Sequence, residues 1–320
     1  MTSPAATTPI IEVIGIGAAT QDDLWLVPEF SDQEGVTQAF QHLQMGGGPV
    51  ATALCVLGSL GRSTALFDVV GGDAVGLRIM AELQRHKVST EAIELVPTAI
   101  SAQAVILVRN GDGARQITFL PSSAGELKLQ AHHRDQISKA RLLHLNGRHE
   151  EAAREAVSLA TEANVLISFD GGAGRYRDSI RDLVLRSHIR IVSWQFAEAF
   201  CQTSEVEEMF LQLLNPPAQV VVITQGTQGS WVAMPNGLRF HQAASLASPL
   251  VDTTGCGDVY HGAFLHGWLA QWTPQECADF ASRLAAKNAE GLGGRRVCEL
   301  PVRVELADSK VLASQTTLAF

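Results

Sequence analysis

Val251-Asp252-Thr253-Thr254-Gly255-Cys256-Gly257-Asp258, running on into Val259-Tyr260-His261-Gly262-Ala263-Phe264-Leu265, is the stretch on which the reading of this chain turns. Residues 259–265 are apolar on nearly every side, which predicts a helix buried all round rather than one lying on a surface. Gly255 and Gly257 stand two apart at its start. The N–H groups of a first helical turn lack internal partners there, and the helix dipole presents its positive end. Small or absent side chains at Gly255, Cys256 and Gly257 let those amides close on a phosphate, or on the charge that spreads over its oxygens during transfer. Asp258 falls in the first turn beside that anion site, where a carboxylate can take a proton from an attacking alcohol. Taken singly, Asp258 is equally an ordinary helix-start acid and Asp252 a turn former.

Outward from that helix, short β-branched runs recur at residues 10–16, 104–108, 142–145, 165–169, 189–192 and 220–224, and most read as strands. Helical patterns at residues 151–162 and 204–214 lie between several of them. Strand alternating with helix predicts a parallel sheet covered on both faces. The fold expected is therefore α/β, a doubly wound, mostly parallel sheet flanked by helices. Neither a low-complexity linker nor an internal repeat divides the chain, which favours a single domain over residues 1–320. Two segments fit that core poorly. Residues 22–45 are a mixed stretch after the first strand, and residues 101–121 read as two strands joined by Asn110-Gly111-Asp112-Gly113, a hairpin signal. Together they predict a small β-sheet projecting from the core, and a lid if one of its faces covers a cleft.

Composition narrows the partners. At 320 residues and 46% hydrophobic, the chain can bury one large core or two modest ones. A net charge of -9 with no cluster of Lys and Arg excludes nucleic acid as the main partner, because grip on a phosphate backbone rests on such clusters. Cys55, Cys201, Cys256, Cys277 and Cys298 are odd in number, widely spread and without metal-ligand spacing, as reduced cytosolic thiols would be. Residues 1–9 lack a basic start and an apolar core, and no stretch reaches the roughly 18 apolar residues of a membrane span. A cytoplasmic location without a membrane partner is expected.

The string at 252–258 closely resembles the signature DTTGAGD of the PfkB/ribokinase family of carbohydrate kinases, departing from it only in Cys256 for alanine. The resemblance implies a ribokinase-like fold with ATP as donor, Asp258 as catalytic base and the amides of residues 255–258 as anion hole. It also implies that Asp252 and Thr254 help hold a monovalent cation, K+. Met45-Gly46-Gly47-Gly48-Pro49-Val50-Ala51-Thr52-Ala53 resembles the family's N-terminal signature, which places Gly47 and Gly48 against the sugar, with Thr52 where the family has asparagine. Asp22 matches the aspartate that receives sugar hydroxyls. Gln195-Phe196-Ala197-Glu198 stands where the family has Asn-x-x-Glu, so Glu198 is implied in organising Mg2+. Thr224-Gln225-Gly226-Thr227-Gln228-Gly229 resembles the nucleotide loop, with Thr224, Gly226 and Gly229 admitting the triphosphate. Asn288, with Gly291-Leu292-Gly293-Gly294-Arg295, resembles the helix and loop that flank adenine and complete the cation site through backbone carbonyls. Without the resemblance these strings reduce to Gly-rich turns and an exposed loop acid at Asp22. No P-loop string GxxxxGK followed by Ser or Thr occurs, which separates the chain from the P-loop kinases.

The Gly-Gly-Gly-Pro form of the first motif looks nearest to the sulfofructose kinase branch, and Arg148 falls where that branch sets an arginine on the sulfonate. The branch's anion-binding lysine and asparagine fall instead at Val36 and Phe119. A neutral ketose, another anionic sugar or a sugar phosphate stays open, and Arg148 could simply pair with Glu150 or Glu151. Two rival readings stand beside a sugar kinase. One is a kinase of a nucleoside or other non-sugar alcohol, which the 6% aromatic content disfavours. The other is a sugar-binding relative without catalysis, which intact Asp258 opposes. An exposed small sheet could also pair with its twin to make a homodimer.

Overall fold

The computed structural model describes residues 11–300, so what was read for residues 1–9, Ile10 and residues 301–320 falls outside it. In spatial order the main sheet runs through Val220–Thr224, Ile189–Ser193, Leu166–Gly171, Leu142–Leu145, Val13–Ile16 and Thr64–Gly71, all parallel. Ser230–Ala233 and Arg239–Gln242 extend one edge antiparallel. Val88–Ser89 and Ile93–Val96 both pair with Thr64–Gly71 at the other. Val13–Ile16 lies between Thr64–Gly71, which follows it by one crossover, and Leu142–Leu145, so the winding reverses at this strand. Where winding reverses, the loops leaving the carboxyl ends of neighbouring strands part and open a crevice.

Successive strand residues face opposite sides, and each side carries its own core. Leu143, Leu145, Phe169 and Ile223 pack against the helices Glu150–Glu162, Trp194–Cys201 and Val206–Leu213. Leu142, Ile189 and Val222 pack with Pro49–Ser59, Cys256–Leu269 and Pro274–Ala289. The helix Cys256–Leu269 is buried along most of its length, as its all-round apolar sequence predicts. It lies so close to Pro49–Ser59 that a Cβ at Gly262 would stand 2.7 Å from the Ala53 carbonyl oxygen.

Thr64–Gly71, buried at every position, is missing from the sequence reading because Asp68 interrupts its apolar run. That carboxylate accepts from the Ala19 N–H at 2.8 Å and meets His149 Nε2 at 2.8 Å, so the fold compensates a charge that looks out of place in a core strand.

The second sheet has four strands, ordered Gln41–Gly47, Thr20–Val27, Gln103–Arg109 and Arg115–Leu120. Its two inner strands are parallel and its outer pairs antiparallel. Leu24, Leu26, Met45, Ala104, Ile106 and Val108 bury one face together with Leu292. The expected hairpin forms at residues 110–113, where Gly111 at φ 101° and Gly113 at φ 63° take backbone conformations that side chains disfavour.

Candidate active site

Asp258 lies in the first turn of Cys256–Leu269, three residues after Gly255. Gly255 is in the left-handed region at φ 68°, and a Cβ there would fall 2.5 Å from the Gly294 carbonyl oxygen, so no other residue fits without moving backbone. Gly257 is the opposite case. It is exposed, and open space surrounds the position of its absent Cβ, so the first-turn amides face outward unobstructed. The Cys256 side chain turns inward instead, its Sγ 3.5 Å from the Ala285 carbonyl oxygen, and burial pushes its thiol up to about 12. A thiol so buried and protonated offers no thiolate chemistry.

The Asp258 carboxyl is half-buried, and burial first, then the negative charge of Asp170, raises it from its ordinary value to about 7. Arg175 and Arg115 act in the opposite sense. A carboxyl poised near neutrality is matched to taking a proton at physiological pH. The hairpin of the small sheet meets this loop. Arg115 Nη1 donates to the Thr253 carbonyl, and Thr253 Oγ1 donates to the Gly113 carbonyl at 2.9 Å.

The glycine turn before Pro49–Ser59 forms the other wall. Asp22 lies on Gly47 so closely that a Cβ there would be 2.0 Å from its Oδ2. Burial raises the Asp22 carboxyl, and Thr20 Oγ1 donates to Oδ1 at 2.7 Å. Gly48, at φ 91°, abuts the Ala18 carbonyl. Behind the turn sits Arg295, 1% exposed, which donates to the Gly47 carbonyl at 2.6 Å, Thr52 Oγ1 at 3.1 Å and Glu82 Oε1 at 3.1 Å. Glu82 Oε2 in turn accepts from the Gly46 N–H at 2.6 Å. Thr52 lies beneath the turn, 2% exposed, with its hydroxyl accepting from Arg295.

The other sequence-predicted residues separate into braces and exposed groups. Asp252 Oδ1 accepts from the Thr254 N–H at 2.7 Å and from Thr254 Oγ1 at 2.6 Å, while Oδ2 accepts from the Gly293 N–H at 2.8 Å. Asn288 Nδ2 reaches the carbonyls of Thr254 and Gly293, and its Oδ1 accepts from the Val297 N–H at 3.0 Å. This asparagine is wholly buried and joins the two loops that carry residues 254 and 293. Thr224 ends its strand at the carboxyl edge of the sheet. After it, Gly226 stands in open space at φ 58°, and Gly229 presses on the Gln242 carbonyl. Glu198, on Trp194–Cys201, accepts from Ser204 Oγ at 2.8 Å with one oxygen, and its other takes no protein hydrogen bond among the described residues. Arg148 is not drawn to Asp258. Its Nη1 lies 3.4 Å from Glu126 Oε1, and it lines a cavity of about 250 Å³ with His149, Glu150 and Arg177.

Sequence reasoning missed Asp170, Arg115 and Arg175, and it gave the side chain of Arg295 no role. Each comes from a segment far from residue 258 in sequence, and each acts through a tertiary neighbour that no local spacing reveals.

This fold and this loop are those of a carbohydrate kinase that carries no P-loop. The chain belongs to the pfkB family of carbohydrate kinases, whose sequence profile matches residues 11–301. It is 23% identical to the ATP-dependent ribose-1-phosphate kinase of Halopiger xanaduensis, over 89% of this chain and 94% of that protein. It is 27% identical to fructokinase-1 of Zea mays, over 72% of this chain and 76% of that one. The ribokinase of Arabidopsis thaliana, solved with ribose and ATP, superposes with a TM-score of 0.76 at 18% identity, covering 90% of this chain and 96% of its own. Among the described residues no helix is long and apolar enough to cross a membrane.

Proposed function

We propose that this carbohydrate kinase transfers the γ-phosphoryl group of ATP to a sugar hydroxyl, with Asp258 as the general base. The observation that carries the reading is the Asp258 carboxyl, held near neutrality in the first turn of a buried helix whose amides open outward. As the sugar oxygen attacks phosphorus, its proton passes to a carboxylate oxygen of Asp258. The amides of residues 255–258, with Gly257 leaving the way clear, take up the charge that develops on the phosphoryl oxygens. Arg115 and Arg175 add positive charge at the same place. Asp22 accepts sugar hydroxyls, and Gly47 and Gly48 let the ligand approach the backbone closely.

Thr224, Gly226 and Gly229 line the nucleotide. Glu198 has a free oxygen for an Mg2+ ion or its waters, and that ion would neutralise charge on the transferring group. Asp252 and Thr254 shape the loop against which K+ would rest, and Asn288 fixes that loop to residue 293. The four-stranded sheet acts as lid, since its hairpin already reaches Thr253. Ile117 and Phe119, each 55% exposed on that sheet, give a homodimer an apolar surface to close on.

A pentose, hexose or sugar phosphate suits the pocket better than a nucleoside. Aromatic residues are only 6% of the chain, so few rings are on hand on which a base could stack. Release of ADP across a panel of neutral sugars, sugar phosphates and nucleosides tests the assignment. Turnover of a sugar that falls by about 10² or more in Asp258→Asn is expected. Turnover of nucleosides alone, or an equally active variant, would overturn it.

A further inference from the structure

Seven buried side-chain nitrogen or oxygen atoms lack a protein partner among the described residues, and three of them, His144 Nε2, Asp170 Oδ2 and His261 Nδ1, belong to residues that cluster, with His261 Nε2 3.7 Å from Asp170 Oδ1. Their residues are 0%, 3% and 4% exposed. An unsatisfied buried polar atom costs about 1–3 kcal/mol, and more when it is charged, so three in one place point to something that satisfies them jointly.

The topology makes the convergence unavoidable. His144 on Leu142–Leu145 and Asp170 on Leu166–Gly171 come from neighbouring parallel strands. His261, one helical turn beyond Asp258, descends on them from Cys256–Leu269. One ligand atom from each lies within 4.8 Å of the others, close enough for side-chain rotation to bring all three to the roughly 2.0–2.2 Å that Zn2+ takes from imidazole and carboxylate. His144 Nδ1 is 3.2 Å from Ser168 Oγ, a contact that fixes the ring and leaves Nε2 for a ligand. Two imidazoles and one carboxylate are a donor set for Zn2+, Fe2+ or Co2+, whereas Mg2+ prefers oxygen ligands throughout.

We propose that His144, Asp170 and His261 bind one divalent transition-metal ion of the zinc class, beneath the catalytic helix and distinct from any Mg2+ that accompanies the nucleotide. The ion would tie the helix bearing Asp258 to two strands of the main sheet.

The test uses the full chain without an affinity tag, stripped with a chelator and dialysed against Zn2+ or Co2+. Wild type should retain one equivalent of metal per chain by elemental analysis, show the visible absorption of Co2+ held by nitrogen and oxygen in a four-coordinate site, and melt at a higher temperature when loaded. His144→Leu and His261→Leu should each weaken binding by about 10² or more, since even outer-shell changes cost 10–100-fold. The exposed His132 serves as control, and His132→Leu should change nothing. Wild type without retained metal or Co2+ absorption would overturn the proposal and leave a bridging water as the partner of the three atoms. Metal retained equally by the cluster variants, or lost in His132→Leu, would overturn it as adventitious surface binding. Should a cluster variant fail to fold, the four-coordinate Co2+ absorption of wild type and its persistence in His132→Leu decide between a buried site and surface binding.

Discussion

Replacing Asp258 by asparagine should remove the chemistry and, at pH 8, make the protein more stable. Carrying this carboxyl from 3.8 to about 7, at about 1.4 kcal/mol per pH unit, costs the ionised folded state about 4 kcal/mol. The group is only half-buried, and solvent screening brings that to roughly 2 kcal/mol. The sign follows from proton binding. Because the folded state holds this proton more tightly than the unfolded chain, no stability is lost below pH 3.8, the loss grows between 3.8 and 7, and it is constant above 7. Asparagine imitates the protonated form at every pH. Urea denaturation at pH 5 and pH 8 should therefore show the variant gaining on wild type at the higher pH, by about 1–2 kcal/mol. A stability difference that is independent of pH, or one that favours wild type at pH 8, would refute the reasoning.

Gly257→Ala should leave the melting temperature within about a degree, because its Cβ enters open space, yet lower kcat at least tenfold by crowding the phosphoryl oxygens. Gly255→Ala should instead destabilise by about 1 kcal/mol or more, since the Gly294 backbone must move. Thermal melts and steady-state kinetics on both variants separate the two roles. Arg295→Ala leaves Glu82 without its buried partner and should cost about 3–5 kcal/mol in denaturant unfolding. Where the variant stays folded, the sugar KM should rise more than kcat falls, and Arg295→Lys should not restore it, because an ammonium cannot span Gly47, Thr52 and Glu82 together.

The parts of this molecule that were legible in its sequence are those coded by neighbours along the chain. The loop at 252–258 states its own geometry: two glycines mark the helix start, and the apolar run after them marks burial. The hairpin at 110–113 is likewise local, and so is the apolar strand that ends at Thr224. What escaped is coded across the fold. Asp68 made a core strand look broken, although His149, distant in sequence, compensates it. Asn288 and Thr52 carry the polar groups of ligand contacts, and only the fold shows that both are buried, bonded to loop carbonyls and to Arg295. Asp170, on a strand, adds to the effect of burial in raising the proton affinity of Asp258 on its helix, and neither residue announces the other.

The central claim is that Asp258 is the proton acceptor and titrates near neutrality because it is buried and, second, because Asp170 lies close by. The pH dependence of kcat/KM for the best sugar, measured with Mg2+ alone on chelator-stripped wild type and Asp170→Asn so that no transition metal screens the Asp170 charge, tests it most directly. The account predicts a rise with pH to a plateau above about 7 in wild type, and a midpoint displaced downward in the variant, which titration of the nucleotide alone would not produce. A profile flat from pH 5 to 8, or a midpoint unmoved by the loss of the Asp170 charge, would contradict it.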